Sequence, residues 1–378
     1  MRVVIAKKLL STIGGSETFA RALDRELRAL GHDVTLVGLR PAWPRPGVPP
    51  EALAAAPGPV TIHADGSRFL FIPARGGRVG AAIDGLLPTS LVRSDDLRRA
   101  VAGADIVHSI AREWAGALER AARDAGAAFV ETPLVHPGQP FSGTGAADVA
   151  RYRRDDAVIA LTEWEAGWYR ARGAAHVHVT GVGPNLDALP EVARDAATVL
   201  FVGRRERYKG YHALRAAARL VWSERPDARF VTIGQAPWNA AFDRGVRDPR
   251  WVDHGIASEE EKAEAFARAT IFAMASEHET FGHTYLEAWS AGIPVIAGDI
   301  PPLREVVREG VDGLHVRNDP RAIADAILAL LRDPERARRM GAAGRERLTR
   351  EFSWPAVAKR TEAAYEAASA RDTARVRT

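Results

Sequence analysis

The stretch SEHETFGHTYLEAWSAGIPVIAGD, Ser276 to Asp299, carries two glutamates, Glu279 and Glu287, with seven residues between them. Two carboxylates aimed at one patch could be a general acid and base, metal ligands, acceptors for sugar hydroxyls, or two unrelated solvated charges. Spacing alone does not choose, because a glutamate-rich chain offers such a pair by chance. Glu279 stands just ahead of the helix read at HTYLEAWSA, and Glu287 lies about one turn inside it. The backbone N–H groups of Phe281, Gly282 and His283 point at the same spot and can hold an anion or a hydroxyl. The plainer alternative makes Glu279 a helix-start charge, favoured by about 0.3–1 kcal/mol in the dipole.

A second stretch, VLFVGRRERYKGYHAL, is built the same way. Gly203 ends a strand, and Arg204 and Lys209 sit in the loop that follows. A guanidinium fork with an ammonium five residues on can clamp a diphosphate. Lysine is scarce here, five against 47 arginines, so Lys209 is informative where Arg205 and Arg207 read as solvated charges. Gly234 ends another strand, RFVTIG, and joins Gly203 among the candidates for close backbone approach. In LSTIGGSETFARALDREL, Gly14 and Gly15 would open the first helix and let N–H groups approach an anion; a plain βα turn is the alternative. The spacing is not GxGxxG, so no dinucleotide fingerprint is present. No Asp-x-Asp pair, P-loop or G-x-S-x-G elbow occurs, and His176 and His178 read as one strand face without a third ligand. No metal and no cofactor is expected.

These side chains need a scaffold, and the chain supplies one twice. Apolar runs such as VVIA, DIVHSI, TVLFVG and IPVIAG alternate with Ala/Arg/Glu-rich helical stretches. Runs without strict alternation predict strands buried on both faces, joined by helices into parallel sheets. Residue 198 looks like a fresh start of the pattern at residue 3, and 183–196 reads as the linker. The expected fold class is α/β, two doubly wound Rossmann-like domains facing each other across a cleft. The expected bounds are 1–185, 186–352 and a final helix at 353–370 returning to the first domain. Residues 39–68, rich in proline, read as an irregular surface excursion.

The bulk numbers fit two domains: 378 residues, 46 % apolar, with both signs of charge and a net charge of +4. That balance does not argue for nucleic acid, and it is compatible with an anionic ligand or peripheral contact with an anionic membrane. With no cysteine, no disulfide or thiolate metal site exists, and a reducing compartment fits. MRVVIAKKLL is not a signal peptide, and no window approaches 18 apolar residues. A cytoplasmic protein, peripheral to the membrane at most, is expected.

The segments GGSETFARALDRELRALGHDVTLVG, VGRRERYKG, ETFGHTYLEAWSAGIPVIA and REVVREGVDGLHV together resemble retaining glycosyltransferases of family 4, which have the GT-B fold. The likeness runs in order from about residue 3 to about residue 365. It implies an acceptor-side first domain and a donor-side second domain binding a nucleoside-diphosphate sugar. By resemblance Glu279 sits by the donor sugar, and the backbone at Phe281 and Gly282 helps hold sugar and phosphate. Glu287 accepts from the ribose hydroxyls. Arg204 and Lys209 neutralise the diphosphate in place of a metal, and the amides of Gly14 and Gly15 approach it too. His136, in ETPLVHPGQ, matches the family histidine near the reacting sugar, with His108 as the alternative. The segment DIPPLRE departs from the usual Gly-Gly-x-x-Glu before Glu305. The implied activity is metal-independent transfer of a sugar to an acceptor hydroxyl of a glycan, a lipid-linked molecule or a small molecule, with retention. The alternatives are a sugar phosphorylase or nucleotide-sugar epimerase of the same fold, or a non-catalytic nucleotide-sugar-binding protein.

Overall fold

The computed structural model describes all residues except 13, 54–57, 87–90, 138–141, 187, 237–245 and 377–378; for 86 and 372–376 it describes only the backbone. The chain divides into two compact units, Met1–Val182 with Trp354–Thr378, and Gly183–Ser353.

The first unit is built on an eight-stranded sheet. Its strands are β1 (Arg2–Ala6), β2 (Asp33–Leu39), β3 (Val60–Ala64), β4 (Ser67–Ile72), β5 (Ile106–Ile110), β6 (Ala128–Thr132), β7 (Ala157–Ala160) and β8 (Val177–Val179). They lie in the order β3-β4-β2-β1-β5-β6-β7-β8. Every pair is parallel except β3–β4. Every residue of β5 and β6 is buried, as expected of strands covered on both faces. Helix Gly15–Ala29 covers one face with Phe19, Leu23 and Leu27, a helical spacing of four. The last helix, Trp354–Val376, packs on the same unit: Trp354 meets Phe19 with ring centroids 5.7 Å apart, and Arg360 Nε donates to Thr180 O at 2.8 Å.

One expectation fails here. The 39–68 stretch is not irregular to its end, because 60–64 forms β3, a hairpin with β4. Asp65 and Gly66, at φ 50° and 74°, make the two-residue turn, and both central residues are left-handed as a primed hairpin turn demands.

The second unit has a wholly parallel sheet. Its strands are β9 (Thr198–Val202), β10 (Arg229–Ile233), β11 (Trp251–Gly255), β12 (Ile271–Met274), β13 (Val295–Gly298) and β14 (Gly313–Val316), in the order β11-β10-β9-β12-β13-β14. In each sheet the winding reverses once, between β1 and β5 and between β9 and β12. Loops leaving the carboxyl ends of those neighbouring strands diverge to opposite faces and open a crevice, which is where such sheets take ligands. Among the described residues no helix is long and apolar enough to cross a membrane.

Candidate active site

In the second unit the reversal brings two loops together. After β9 the chain runs through Gly203 and Arg204 to a single 3-10 turn, Arg207–Lys209, closed by Gly210 at φ 81°. A Cβ on Gly210 would lie 2.9 Å from Ala275 O, so only glycine lets this turn sit against the loop after β12. Glu277 N–H then donates to Tyr208 O at 2.7 Å. Across the same contact Lys209 Nζ donates to Glu279 Oε1 at 2.5 Å, with side chains only 14 % and 9 % exposed. The candidates from two distant stretches therefore meet as one ion pair at the reversal point. Arg204 does not join them: its guanidinium is 61 % exposed, pairs with Glu206 at 3.1 Å and donates to Tyr208 Oη.

The helix His283–Ser290 starts at Gly282, where φ is 89° and an added Cβ would fall 2.5 Å from the Tyr285 ring. Phe281 contributes its backbone to this start, while its ring is buried edge-on against Phe352 at 5.2 Å. His283 opens the helix and is half-buried. Gly183 O can only accept, so Nδ1 carries the proton in their 3.1 Å hydrogen bond. Burial pushes its pKa down to about 4, so the ring is neutral at physiological pH.

Glu287 lies further along the same helix, 2 % exposed. Its Oε1 faces Lys262 Nζ at 3.4 Å, while Oε2 is buried and accepts no hydrogen bond from the described residues. Burial raises its pKa, opposed by Lys262. Lys262 comes from the helix Glu259–Arg268, fixed by a Ser258–Glu261 capping box, and it also reaches Glu259 at 2.6 Å. Sequence reasoning missed it, although it is another of the five lysines. Gly203 and Gly234 have a packing reason: a Cβ on Gly234 would stand 1.9 Å from Gly203 O.

In the first unit, the connection after β1 holds Lys7, 3 % exposed, between Glu113 at 3.1 Å and Glu17 at 3.7 Å. Glu113 follows β5, so this cluster marks the other reversal point. Gly14, at φ 111°, caps the helix that Gly15 begins. An added Cβ on Gly14 would lie 2.4 Å from Glu17 Oε2, so Glu17 lies close against this helix start. His136 is half-buried in the loop after β6, at the same carboxyl edge of the sheet. His108 is fully buried inside β5. Its Nδ1 meets Tyr365 Oη and its Nε2 meets Thr132 Oγ1, each at 2.7 Å, and burial drives its pKa to about 3. Both nitrogens are committed to the core. Among the described residues no group of three or more His, Asp or Glu side chains could hold a metal ion.

Comparison with known proteins gives these features a context. Residues 188–347 match the family model described as glycosyl transferases group 1, and residues 14–185 match a glycosyl transferase 4-like domain. Alpha-maltose-1-phosphate synthase of Mycolicibacterium smegmatis is 34 % identical over 209 residues, half of this chain and 53 % of that protein. A glycogen synthase of Mycobacterium tuberculosis is 29 % identical over 94 % of this chain and 92 % of its own length. In fold, sucrose-phosphate synthase from Thermosynechococcus elongatus superimposes with a TM-score of 0.76 at 21 % identity, covering 97 % of this chain and 98 % of that one. Anabaena HepE, solved in complex with UDP and glucose, gives 0.72 at 15 % identity over 96 % and 98 %.

Proposed function

The chain belongs to the GT-B, family 4-like glycosyltransferases, and from that premise we propose that it moves a sugar from a nucleoside-diphosphate sugar to an acceptor hydroxyl, with retention of anomeric configuration and without a metal ion. The observation that carries this reading is the Lys209–Glu279 pair at the sheet reversal, with the unmatched oxygen of Glu287 in the same unit. A buried carboxylate oxygen with no donor is costly unless a ligand supplies one. A ribose hydroxyl has the right chemistry, and it fits the nucleoside diphosphate that solved relatives hold.

In this reading the anomeric C–O bond breaks and negative charge grows on the departing diphosphate. Lys209 Nζ has three donors and, among the described residues, one carboxylate partner, which leaves two N–H groups for the phosphate oxygens. Fixed donors aimed at a growing charge stabilise the transition state more than the ground state. Arg204 adds a mobile cation. The amides of Phe281, Gly282 and His283 at the helix start are assigned to the same phosphates, and Gly203 and Gly234 to close approach of the donor. Glu279 is left to accept from sugar hydroxyls. The neutral His283 contributes a hydrogen bond rather than charge, and His136 is assigned a place beside the sugar. No carboxylate is assigned as a covalent nucleophile, so attack comes from the leaving-group face, with the departing phosphate taking the acceptor proton.

The test is a thermal-shift screen against UDP-, GDP-, ADP- and dTDP-sugars, since a ligand at 100 Kd adds ~2.7 kcal/mol. The stabilising donor is then incubated with candidate acceptors in chelator, and the product anomer is read by NMR. An inverted product, or transfer abolished by chelator and restored by a divalent metal, would overturn this reading.

A further inference from the structure

The loop that carries His136 is held in an unusual backbone state. Leu134, two residues earlier, has φ 56°, a left-handed conformation costly for a residue with a Cβ. Its neighbour Val135 is 1 % exposed and packs in a small core with Tyr152, Tyr169 and Ala166. The Val135 N–H donates to Oε1 of Glu165 at 3.4 Å. Glu165 is itself buried, on the helix Glu163–Arg170 that Thr162 caps. The same Oε1 accepts from Tyr169 Oη at 2.8 Å, and Oε2 accepts from Leu161 N–H at 2.7 Å. On the far side of the loop Tyr152 Oη donates to Gly143 O at 2.9 Å, and the two tyrosine rings meet edge to face at 5.1 Å.

We propose that Glu165 is a positioning residue for His136, its carboxylate fastening the backbone of the loop that presents that imidazole. The inference rests on the reading of His136 as a group beside the reacting sugar. Three donors converge on one carboxyl group. Only the ionised form, which has no proton of its own to place, accepts from all three well. A proton on Oε1 makes that oxygen a poor acceptor and loosens Val135. Burial raises the Glu165 pKa to about 7, and the Leu161, Tyr169 and Val135 donors hold it from going higher. The groups facing it are the phenols Tyr169 and Tyr152. Beyond them lies the ionic cluster of Glu131, Arg151, Asp148 and Asp155. The signs for activity and stability are opposite. A carboxyl raised from 4.5 to about 7 contributes stability that is present below 4.5 and lost as pH rises through 7, while the ionised, loop-holding form gains.

The experiment is a double-mutant cycle with pH profiles. Glu165→Gln should lower kcat about tenfold with donor KM little changed, since a sub-ångström displacement of a reacting group has that effect. It should also remove the rise of kcat with pH near 7. In a His136→Ala background the same substitution should have no further effect on kcat. Tyr169→Phe, a gentler change that keeps the core filled, removes one donor and should move the acidic limb to higher pH. Equal loss from Glu165→Gln in both backgrounds, or an acidic limb unmoved in both Glu165→Gln and Tyr169→Phe, would overturn the inference while leaving the function intact. Full activity in His136→Ala would instead remove the premise, and the inference with it.

Discussion

Each sheet reverses its winding once, and each reversal carries a lysine bonded to a glutamate from the loop across it. Lys7 answers to Glu113 in the first unit, and Lys209 to Glu279 in the second. The surroundings separate them. Lys7 is 3 % exposed and shared by two carboxylates, Glu113 and Glu17. Lys209 has one carboxylate among the described residues and is 14 % exposed. The first cluster is a closed tie with surplus negative charge, which suits hydroxyls and repels a bare phosphate. The second keeps donors in hand for an anion. One architecture thus places a lysine twice at a ligand-binding address, and the count of neighbouring carboxylates decides whether it serves the fold or a ligand.

Two substitutions break that comparison cleanly. Lys7→Met leaves two carboxylates facing each other without a cation. Breaking a buried pair typically costs 3–5 kcal/mol, and Glu113 is 30 % exposed, so a loss of about 3 kcal/mol is expected. Calorimetry should show a melting temperature lower by roughly 10 °C, with donor affinity of the folded protein unchanged. Lys209→Ala should differ in turnover. It also strips Glu279 of its cation and so lowers the melting temperature, but turnover of the folded protein should fall ~10²-fold or more, as for a lost oxyanion donor. Near wild-type transfer by Lys209→Ala would end its assignment to the leaving group, and unchanged melting in Lys7→Met would end the contrast.

How far the sequence reaches can be argued from the same residues. The strands before both reversals were legible because parallel strands covered on both faces read as unbroken apolar runs. β3 was missed although VTIHA-DG-SRFLF carries a hairpin signal; proline upstream drew attention from the Asp65–Gly66 dipeptide. Within the site, Lys209 stood out by the scarcity of its type. Its bond to Glu279, 70 residues on, needed the sheet order, which pairs β9 with β12 although two strands intervene in sequence. Lys262 was equally scarce but sits on an ordinary exposed-looking helix, EEEKAEAFAR, where nothing local says that it turns toward Glu287. Glu165 was invisible for a similar reason. In LTEWEAGWYR it reads as a capping charge, and its role depends on a loop 30 residues earlier.

Glu287→Gln sharpens the second site. The amide keeps the shape but gives a weaker acceptor and places an NH2 toward one neighbour. Donor Kd should rise about tenfold, about 1.4 kcal/mol, when titrated calorimetrically with the stabilising nucleotide. Acceptor affinity should hold. The opposite pattern would move Glu287 out of the nucleoside site.

Arg204 should give the smallest effect. Its guanidinium is mostly in solvent and tied to Glu206 and Tyr208, so it enters any phosphate contact as a screened, mobile charge. Arg204→Ala is expected to raise donor KM about threefold at low salt, with kcat nearly constant. The difference should vanish as ionic strength approaches ~1 M, where the Debye length is near 3 Å. A salt-independent fall in kcat approaching that of Lys209→Ala would mean that the guanidinium leaves Tyr208 and closes on the diphosphate when the donor binds. The leaving-group charge would then be shared by both cations, and the carboxylate count around Lys209 alone would no longer explain why this reversal, rather than the one at Lys7, holds the anion.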